Sequence, residues 1–424
     1  MFPFLPARRL VARSAMAVAV FTFAPQAVFA AEASVMAPLR QALRGAWQQH
    51  PSYRATEAQI AAARARLDAA GQPLYNPELQ LTRDNGGEEK TLSAGVNLTL
   101  DLSGKRRVRS DAANAKLDLA SAEAHVRRRD FARQWLTGWA DLQAAQQQVA
   151  TGGRRLALIT RFSTLAEKQF TAGDISGLER DLALLARDEA QAGQAQLLAD
   201  QAEAEAKFRS VGGVAEEVVS SDLAADGFPP AQPATGDLQT LPDWQVAQAM
   251  ATASDREVEV ARRNRVADPT VGVYGGRKEY RAGGPADRVY GVTLTIPLFV
   301  RNSYRAEVVA AQAEADAAQA ELQRVRLELE AERRRAIDSY AAARGAWSGW
   351  QRSRGTDVTR RADLLERSWR QGELSTTDYL LQLKQTLDTQ LAGAKLRARL
   401  WRTYTDYLSA TGRLEEWAGL ERNP

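Results

Sequence analysis

The chain has 424 residues, of which 56 are basic and 52 acidic, for a formal net charge of +4. This near balance, without any dense basic tract, excludes nucleic-acid binding as a main role. The absence of cysteine excludes a disulfide framework, a thiol nucleophile, thiolate metal sites and a lipid anchor on an N-terminal cysteine. A composition that is 45% hydrophobic but only 7% aromatic is typical of long helices.

Residues 1–30 have the layout of an export signal peptide. Arginines precede the short apolar stretch from Ala15 to Phe23, and Val28-Phe29-Ala30 offers small residues where a signal peptidase cuts. The apolar stretch is shorter than the ~18–20 residues of a membrane-spanning helix. We therefore expect this segment to be removed and the chain to be exported.

A tandem duplication organises the rest of the chain. "NPELQLTRD" at Asn76 is matched by "DPTVGVYGG" at Asp268, and "KQFTAGDISGLERD" is matched by "RSWRQGELSTTDYL" at a similar offset. Each half is predicted as helix, strand, loop, strand, very long helix, tight turn and helix. The predicted bounds are 31–213 for the first repeat (strand pair 78–101, helical hairpin 105–211), 214–242 for a linker, 243–412 for the second repeat (strand pair 270–297, helical hairpin 301–411) and 413–424 for a tail.

Two details of the helices are also predicted. The first helix, from about Pro38 to Ala70, should bend where His50 precedes Pro51. The first long helix is predicted from Lys105 to about Phe170, and Gly152-Gly153 is the only strong interruption of its sequence pattern.

The predicted strands have an apolar and a polar side. From Leu92 to Leu100, apolar residues alternate with small or polar ones, which is the period of a two-faced strand. Two interpretations are open: a small soluble sheet packed on helices, or strands pooled from several chains, since four strands cannot close a barrel alone. In the second interpretation the lipid-facing residues are Leu92, Val96, Leu98, Leu100, Val292, Leu294 and Ile296.

This organisation resembles the TolC family of trimeric outer-membrane efflux ducts. The resemblance rests on the duplicated order and on "YNPELQLTRDN" followed by "LTLDLSGKRR", which is most similar to the cobalt–zinc–cadmium resistance branch. It implies a mixed α/β membrane protein that is mainly α. The expected assembly is a homotrimer with a twelve-stranded β-barrel, four strands from each protomer, and a long α-helical coiled-coil barrel in the periplasm.

The function implied by the resemblance is passive efflux of heavy-metal cations through the outer membrane of a Gram-negative cell. The expected partners are a periplasmic adaptor (membrane fusion protein), an inner-membrane resistance-nodulation-division transporter and outer-membrane lipid. A duct for drugs or type I secretion is an alternative, and a periplasmic adaptor or coiled-coil scaffold is an alternative of another class. No catalytic constellation and no cofactor are expected, and the only histidines, His50 and His125, form no ligand pair.

The two repeated turns carry the candidate site residues, because in the resembled family they form the periplasmic tip. The gate candidates are Asp174, Glu179, Asp181, Glu373, Leu374 and Asp378, and the adaptor-docking candidates are Gly173, Ile175, Ser176, Gly372 and Ser375. Ordinary helix capping by the two serines, with acids near the helix N-termini, is equally open. Leu374 stands where the family's best-known gate has a basic residue, so apolar packing is expected to hold the tip.

Overall fold

The computed structural model describes residues 26–215, 228–233, 236–352 and 358–420. Most of the predicted signal peptide, residues 216–227 and 234–235 of the predicted linker, and residues 421–424 of the predicted tail lie outside the described residues.

The described residues form long helices and one small sheet. The helices are α1 (Gln26–Gln49), α2 (Pro51–Ala70), α3 (Lys105–Ala172), α4 (Gly177–Ser210), α5 (Pro242–Asn264), α6 (Arg305–Arg352), α7 (Val358–Arg370), α8 (Thr376–Ala410) and α9 (Leu414–Ala418). The strands are β1 (Glu78–Gly86), β2 (Glu89–Thr99), β3 (Thr270–Tyr280) and β4 (Asp287–Thr295). Across these described ranges, no helix combines the length and the apolar character needed to cross a membrane.

The predicted first helix is divided at His50, as its sequence indicated. The His50 backbone is extended, and its Nδ1 accepts a hydrogen bond from the Ser52 N–H at 3.2 Å. Pro51 then occupies the first turn of α2, where a missing N–H is harmless. His50 therefore serves as a helix cap.

Gly152-Gly153 does not divide the predicted long helix, because α3 runs unbroken for 68 residues. At ~1.5 Å per residue this helix is about 100 Å long. A Cβ atom at Gly152 would lie 2.3 Å from Gln194 Oε1 and 2.5 Å from Leu197 Cδ1 of α4. The glycine therefore permits close packing of α4 against α3 rather than a break.

One antiparallel sheet, with strand order β1-β2-β3-β4, joins the two repeats. Its central pair, β2 with β3, runs from Glu89 opposite Tyr280 to Thr99 opposite Thr270. β2 ends before the predicted Asp101 because that residue has another role. The Asp101 carboxylate accepts the backbone N–H groups of Lys105 and Arg106, each at 2.8 Å, and so caps α3.

The helices pack around two clusters of buried apolar side chains. The central cluster includes Trp139, Tyr340 and Tyr407, each at most 2% exposed. The second lies at the far end of the helical hairpins and is here named the tip cluster. Its members are Ile159, Phe162, Ala166, Ala183, Ala190, Ala362, Leu365, Trp369, Tyr379, Leu383 and Leu387.

A buried ion pair fixes the sheet to the long helix. Lys105 opens α3, and its Nζ lies 2.8 Å from Asp268 Oδ2, with only 9% and 3% of the two side chains exposed. The Tyr75 hydroxyl donates to the same oxygen at 2.8 Å. Because Asp268 directly precedes the strand pair of the second repeat, this pair ties the two repeats together at the base of the sheet.

Removing the cation of this pair should destabilise the fold strongly. Lys105→Met leaves the Asp268 carboxylate buried without its cation, which we expect to lower the free energy of unfolding by about 3–5 kcal/mol. Lys116→Met on the same helix is the matched control, because its ion pair with Glu257 is well exposed and should contribute less than about 1 kcal/mol. Urea unfolding followed by circular dichroism measures both, and equal effects would contradict a structural role for the buried pair.

Candidate functional site

One face of the sheet is apolar and exposed. Alternate residues of a strand share a face, and the register places Leu79, Val96, Val273 and Val292 in one cross-strand row. Their exposed fractions are 71%, 46%, 57% and 73%. No helix of the described ranges packs along the sheet. A contiguous apolar face of this kind requires a cover that the single chain does not supply within those ranges.

Most of the predicted lipid-facing residues lie on this exposed face, but Leu100 differs. It follows the end of β2, is half-buried, and its N–H donates to the Pro269 carbonyl at 2.9 Å. The exposed members of the prediction are Leu92, Val96, Leu98, Val292, Leu294 and Ile296.

The sequence analysis missed part of the apolar face. Leu298 and Val300 continue the alternation of the sequence beyond β4 and are 76% and 85% exposed. Their spacing at every second residue was the signal that could have identified them. The others missed are Leu79, Leu81, Val271 and Val273.

The opposite face of the sheet is polar. Asn97 Nδ2 donates to Gln80 Oε1 at 2.9 Å, and the hydroxyls of Thr99 and Thr270 lie 2.8 Å apart. The Tyr274 ring lies across Gly291, where an added Cβ would be 2.6 Å from the ring. The sheet therefore separates a hydrogen-bonded face from an apolar one.

Both outer strands present a free edge. The sheet order places β1 and β4 at the two margins, each nine residues long, and neither has a second partner strand in the described part of the chain. Their outward N–H and C=O groups form a template for pairing with a further strand.

The two repeated turns share one backbone design. Gly173 and Gly372 have φ of 84° and 75°, which glycine adopts without strain. Past each glycine, a backbone hydrogen bond closes the helix end: the Asp174 N–H donates to the Gln169 carbonyl and the Glu373 N–H to the Ser368 carbonyl, both at 2.9 Å. This is the Schellman pattern of helix termination.

The serines after these turns cap α4 and α8. Ser176 Oγ accepts the Glu179 N–H at 3.2 Å, and Glu179 Oε2 accepts the Ser176 N–H at 2.8 Å, which completes a capping box. Ser375 Oγ accepts the Asp378 N–H at 3.1 Å and donates to Asp378 Oδ2 at 2.7 Å. The capping interpretation is therefore confirmed for Ser176 and Ser375, and the gate remains a prediction.

A chain of polar contacts links the two turns. Trp369 Nε1 donates to the buried Thr376 hydroxyl at 3.3 Å, and that hydroxyl lies 3.5 Å from Glu179 Oε1. Beneath them, the Phe162 ring packs on Trp369 and Tyr379 with centroid distances of 4.5 and 4.7 Å. Burial raises the pKa of Tyr379 to about 12. The sequence analysis missed Thr376 and Trp369, because their role depends on contacts between turns.

The remaining tip candidates divide into apolar and charged groups. Ile175 and Leu374 are half-buried and pack against the tip cluster. Asp174 and Glu373 are exposed on the turns. Asp181 is also exposed and lies 2.7 Å from Arg180, whose guanidinium lies 4.4 Å from the centre of the Phe170 ring.

Possible metal ligands are scattered rather than grouped. His50 caps α2, and His125 Nδ1 lies 3.0 Å from Glu415 Oε2. Over the described ranges, no group of three or more His, Asp or Glu side chains is arranged to hold a metal ion.

Residues 237–413 match the family described as outer membrane efflux protein. The matched segment covers the second predicted repeat and is less than half of the chain. The nickel-cobalt-cadmium resistance protein NccC of Alcaligenes xylosoxydans xylosoxydans is 28% identical over 202 residues, a match spanning 46% of this chain and 45% of NccC. The chain thus matches less than half the length of this curated relative.

The fold is that of solved efflux channels over nearly the whole chain. The CmeC outer membrane channel of Campylobacter jejuni aligns with a TM-score of 0.73 at 15% identity, covering 89% of this chain and 86% of CmeC. CusC aligns with a TM-score of 0.70 at 14% identity, covering 95% of this chain and 98% of CusC. The CusC crystal structures describe conformational changes that accompany folding and transmembrane channel formation. The predicted family resemblance is confirmed.

The capping box should make the tip sensitive to acid. The hydrogen bond from the Ser176 backbone N–H, with one from its hydroxyl, lowers the pKa of the Glu179 carboxyl below its ordinary value of 4.5. A lowered folded-state pKa means that the cap stabilises α4 at neutral pH and loses this contribution as pH falls through that lowered pKa. We expect hydrogen-exchange protection factors at the start of α4 to fall below about pH 4.5. Glu179→Gln is the control and should remove this pH dependence; an unchanged profile would contradict the capping role of the carboxylate.

Proposed function

We propose that this chain is one protomer of an outer-membrane channel that serves as the passive exit duct of a tripartite efflux system. The observation that carries the proposal is a sheet with an exposed apolar face, a polar opposite face and two free edges. Unpaired edges inside hydrocarbon are prohibitive. Three protomers would remove them by pairing β4 of each with β1 of the next, which gives a closed barrel of twelve strands.

The apolar band would supply part of the height of a bilayer. Within β2 the apolar side chains run from Leu92 to Leu98, six steps or roughly 20 Å at ~3.4 Å per residue. Strands in membrane barrels tilt by ~35–45°, so this stretch would span roughly 15 Å of the ~25 Å apolar belt, and the exposed Ile296, Leu298 and Val300 beyond β4 would extend it. The polar face with Asn97 and Tyr274 would then line the lumen.

The helical part supports a conduit that extends from the barrel into the periplasm. α3 alone is about 100 Å long and connects the sheet to the paired turns at the tip. The exposed glycine turns at Gly173 and Gly372, with their serine caps, are the surfaces we assign to docking of a periplasmic adaptor. Energy would come from an inner-membrane transporter, because no catalytic centre is proposed for the duct.

Heavy-metal cations are the cargo we favour. The support is the similarity to NccC, which is named for resistance to nickel, cobalt and cadmium, and the acidic tip. Repeated by threefold symmetry, Glu179 and Asp378 would form rings that attract cations and repel anions. A conduit needs no tight site, since strong binding would slow release.

Heat-sensitive trimer formation tests the proposed assembly. Native mass measurement in detergent, before and after boiling, should give a trimer that boiling converts to monomer. Leu79→Arg on the apolar face should reduce the trimer fraction strongly, because an arginine at the bilayer midplane costs about 2–4 kcal/mol.

Gln80→Arg is the matched control, since the adjacent side chain faces the proposed lumen and should leave the trimer intact. A monomer from the unsubstituted chain, or equal effects of the two substitutions, would refute the barrel.

Cation selectivity tests the acidic rings. Glu179→Gln combined with Asp378→Asn removes two charges per protomer while leaving polar groups at both caps, and should lower the cation preference of single channels in planar bilayers. Asp68→Asn with Glu314→Gln removes two exposed acids from α2 and α6 and serves as the charge-matched control. Equal selectivity of the two double variants would contradict the acidic rings and would mean that Glu179 and Asp378 act only as helix caps.

A further inference from the structure

A row of arginines crosses the apolar face of the sheet near its hairpin end. The register places Arg83 opposite Leu92, Leu92 opposite Arg277, and Arg277 opposite Arg288. All three arginines are exposed, and by strand parity they share the face of Leu79 and Val96. This set, here named the arginine row, was not identified from the sequence because it exists only in the strand register.

The arginine row lies at the margin of the apolar band rather than within it. The next row toward the helices contains Leu81, Ala94, Gly275 and Tyr290, with Tyr290 88% exposed. The hairpins β1–β2 and β3–β4 turn just beyond the arginines, at the end of the sheet away from α3. Tyrosine beside hydrocarbon and arginine beyond it is the order expected at a membrane interface.

The charges on this margin are not balanced within the described residues. Arg277 lies 3.3 Å from Glu279, while Arg83 and Arg288 form no ion pair there. Lys90 occupies the same face one row further out, opposite Glu279. Arg277 and Arg288 are directly opposed, and like charges so placed destabilise a sheet. An anionic group between these strands would relieve that repulsion.

We propose that the arginine row binds the phosphate groups of an anionic lipid of the outer leaflet. This rests on the proposed function, which places the apolar band in a bilayer and the hairpins on its outer side. Guanidinium groups bind phosphate oxygens through paired hydrogen bonds and are less strongly hydrated than ammonium groups. The acyl chains of the same lipid would lie against Leu81, Tyr290 and Val292. One lipid molecule would therefore cover the apolar residues and neutralise the arginines beside them.

The test counts lipids retained by the trimer. The full-length protein is reconstituted in nanodiscs of phosphatidylcholine with a small fraction of bisphosphorylated lipid A, and bound lipid A is quantified by native mass spectrometry after release. The variant Arg83→Gln with Arg277→Gln and Arg288→Gln should retain at least tenfold less lipid A than the unsubstituted chain. The matched control, Arg54→Gln with Arg64→Gln and Arg66→Gln, removes three exposed arginines from α2 and should retain it fully.

Two further arms separate the possible outcomes. Adding millimolar inorganic phosphate should displace little lipid A; displacement by phosphate alone would overturn the proposal of a lipid site in favour of a free-anion site. Equal retention by both triple variants would also overturn it. Conductance of the same samples reports on the duct: a channel that conducts but binds no lipid A refutes only the arginine row, whereas absence of any conducting trimer refutes the proposed function itself.

Discussion

The pairing of β2 with β3 is the interaction on which the rest of the structure depends. Each repeat contributes only a two-stranded hairpin, which is marginally stable at best in water. Pairing across the repeats creates a four-stranded sheet with one continuous apolar face. The buried pair of Lys105 and Asp268 fixes the same junction at the start of α3. The position of the sheet relative to the helical rod therefore follows from contacts between the two halves of the duplication.

Features that depend on local periodicity were predictable from the sequence. The alternation around Val96 gave the two faces of β2, and the absence of proline gave the length of α3. Features that depend on contacts with residues distant in the chain were not predictable from the sequence. Gly152 has the signature of a helix break, yet it is a contact point for Gln194. The end of β2 was misplaced because Asp101 uses its side chain to cap the next helix. Thr376 acquires its role only when the second turn lies beside the first.

At the tip, the two oxygens of one carboxylate contact different turns. Glu179 Oε2 accepts hydrogen bonds from Ser176, while Oε1 faces the Thr376 hydroxyl of the second turn. A carboxylate held in this way keeps its negative charge at neutral pH but has little freedom to move. Opening of an entrance at this point would therefore involve displacement of whole helix ends over the tip cluster rather than rotation of a single side chain.

The free edges of β1 and β4 also determine how a mutant chain would affect normal chains made in the same cell. In the proposed ring, every contact between sheets joins two different edges, so the interface is head-to-tail rather than self-complementary. A chain with a damaged β1 but an intact β4 would still join a neighbour and would then prevent closure. Such a defective copy would inactivate rings that also contain intact copies. Its effect in a cell that makes both copies would therefore be dominant rather than recessive.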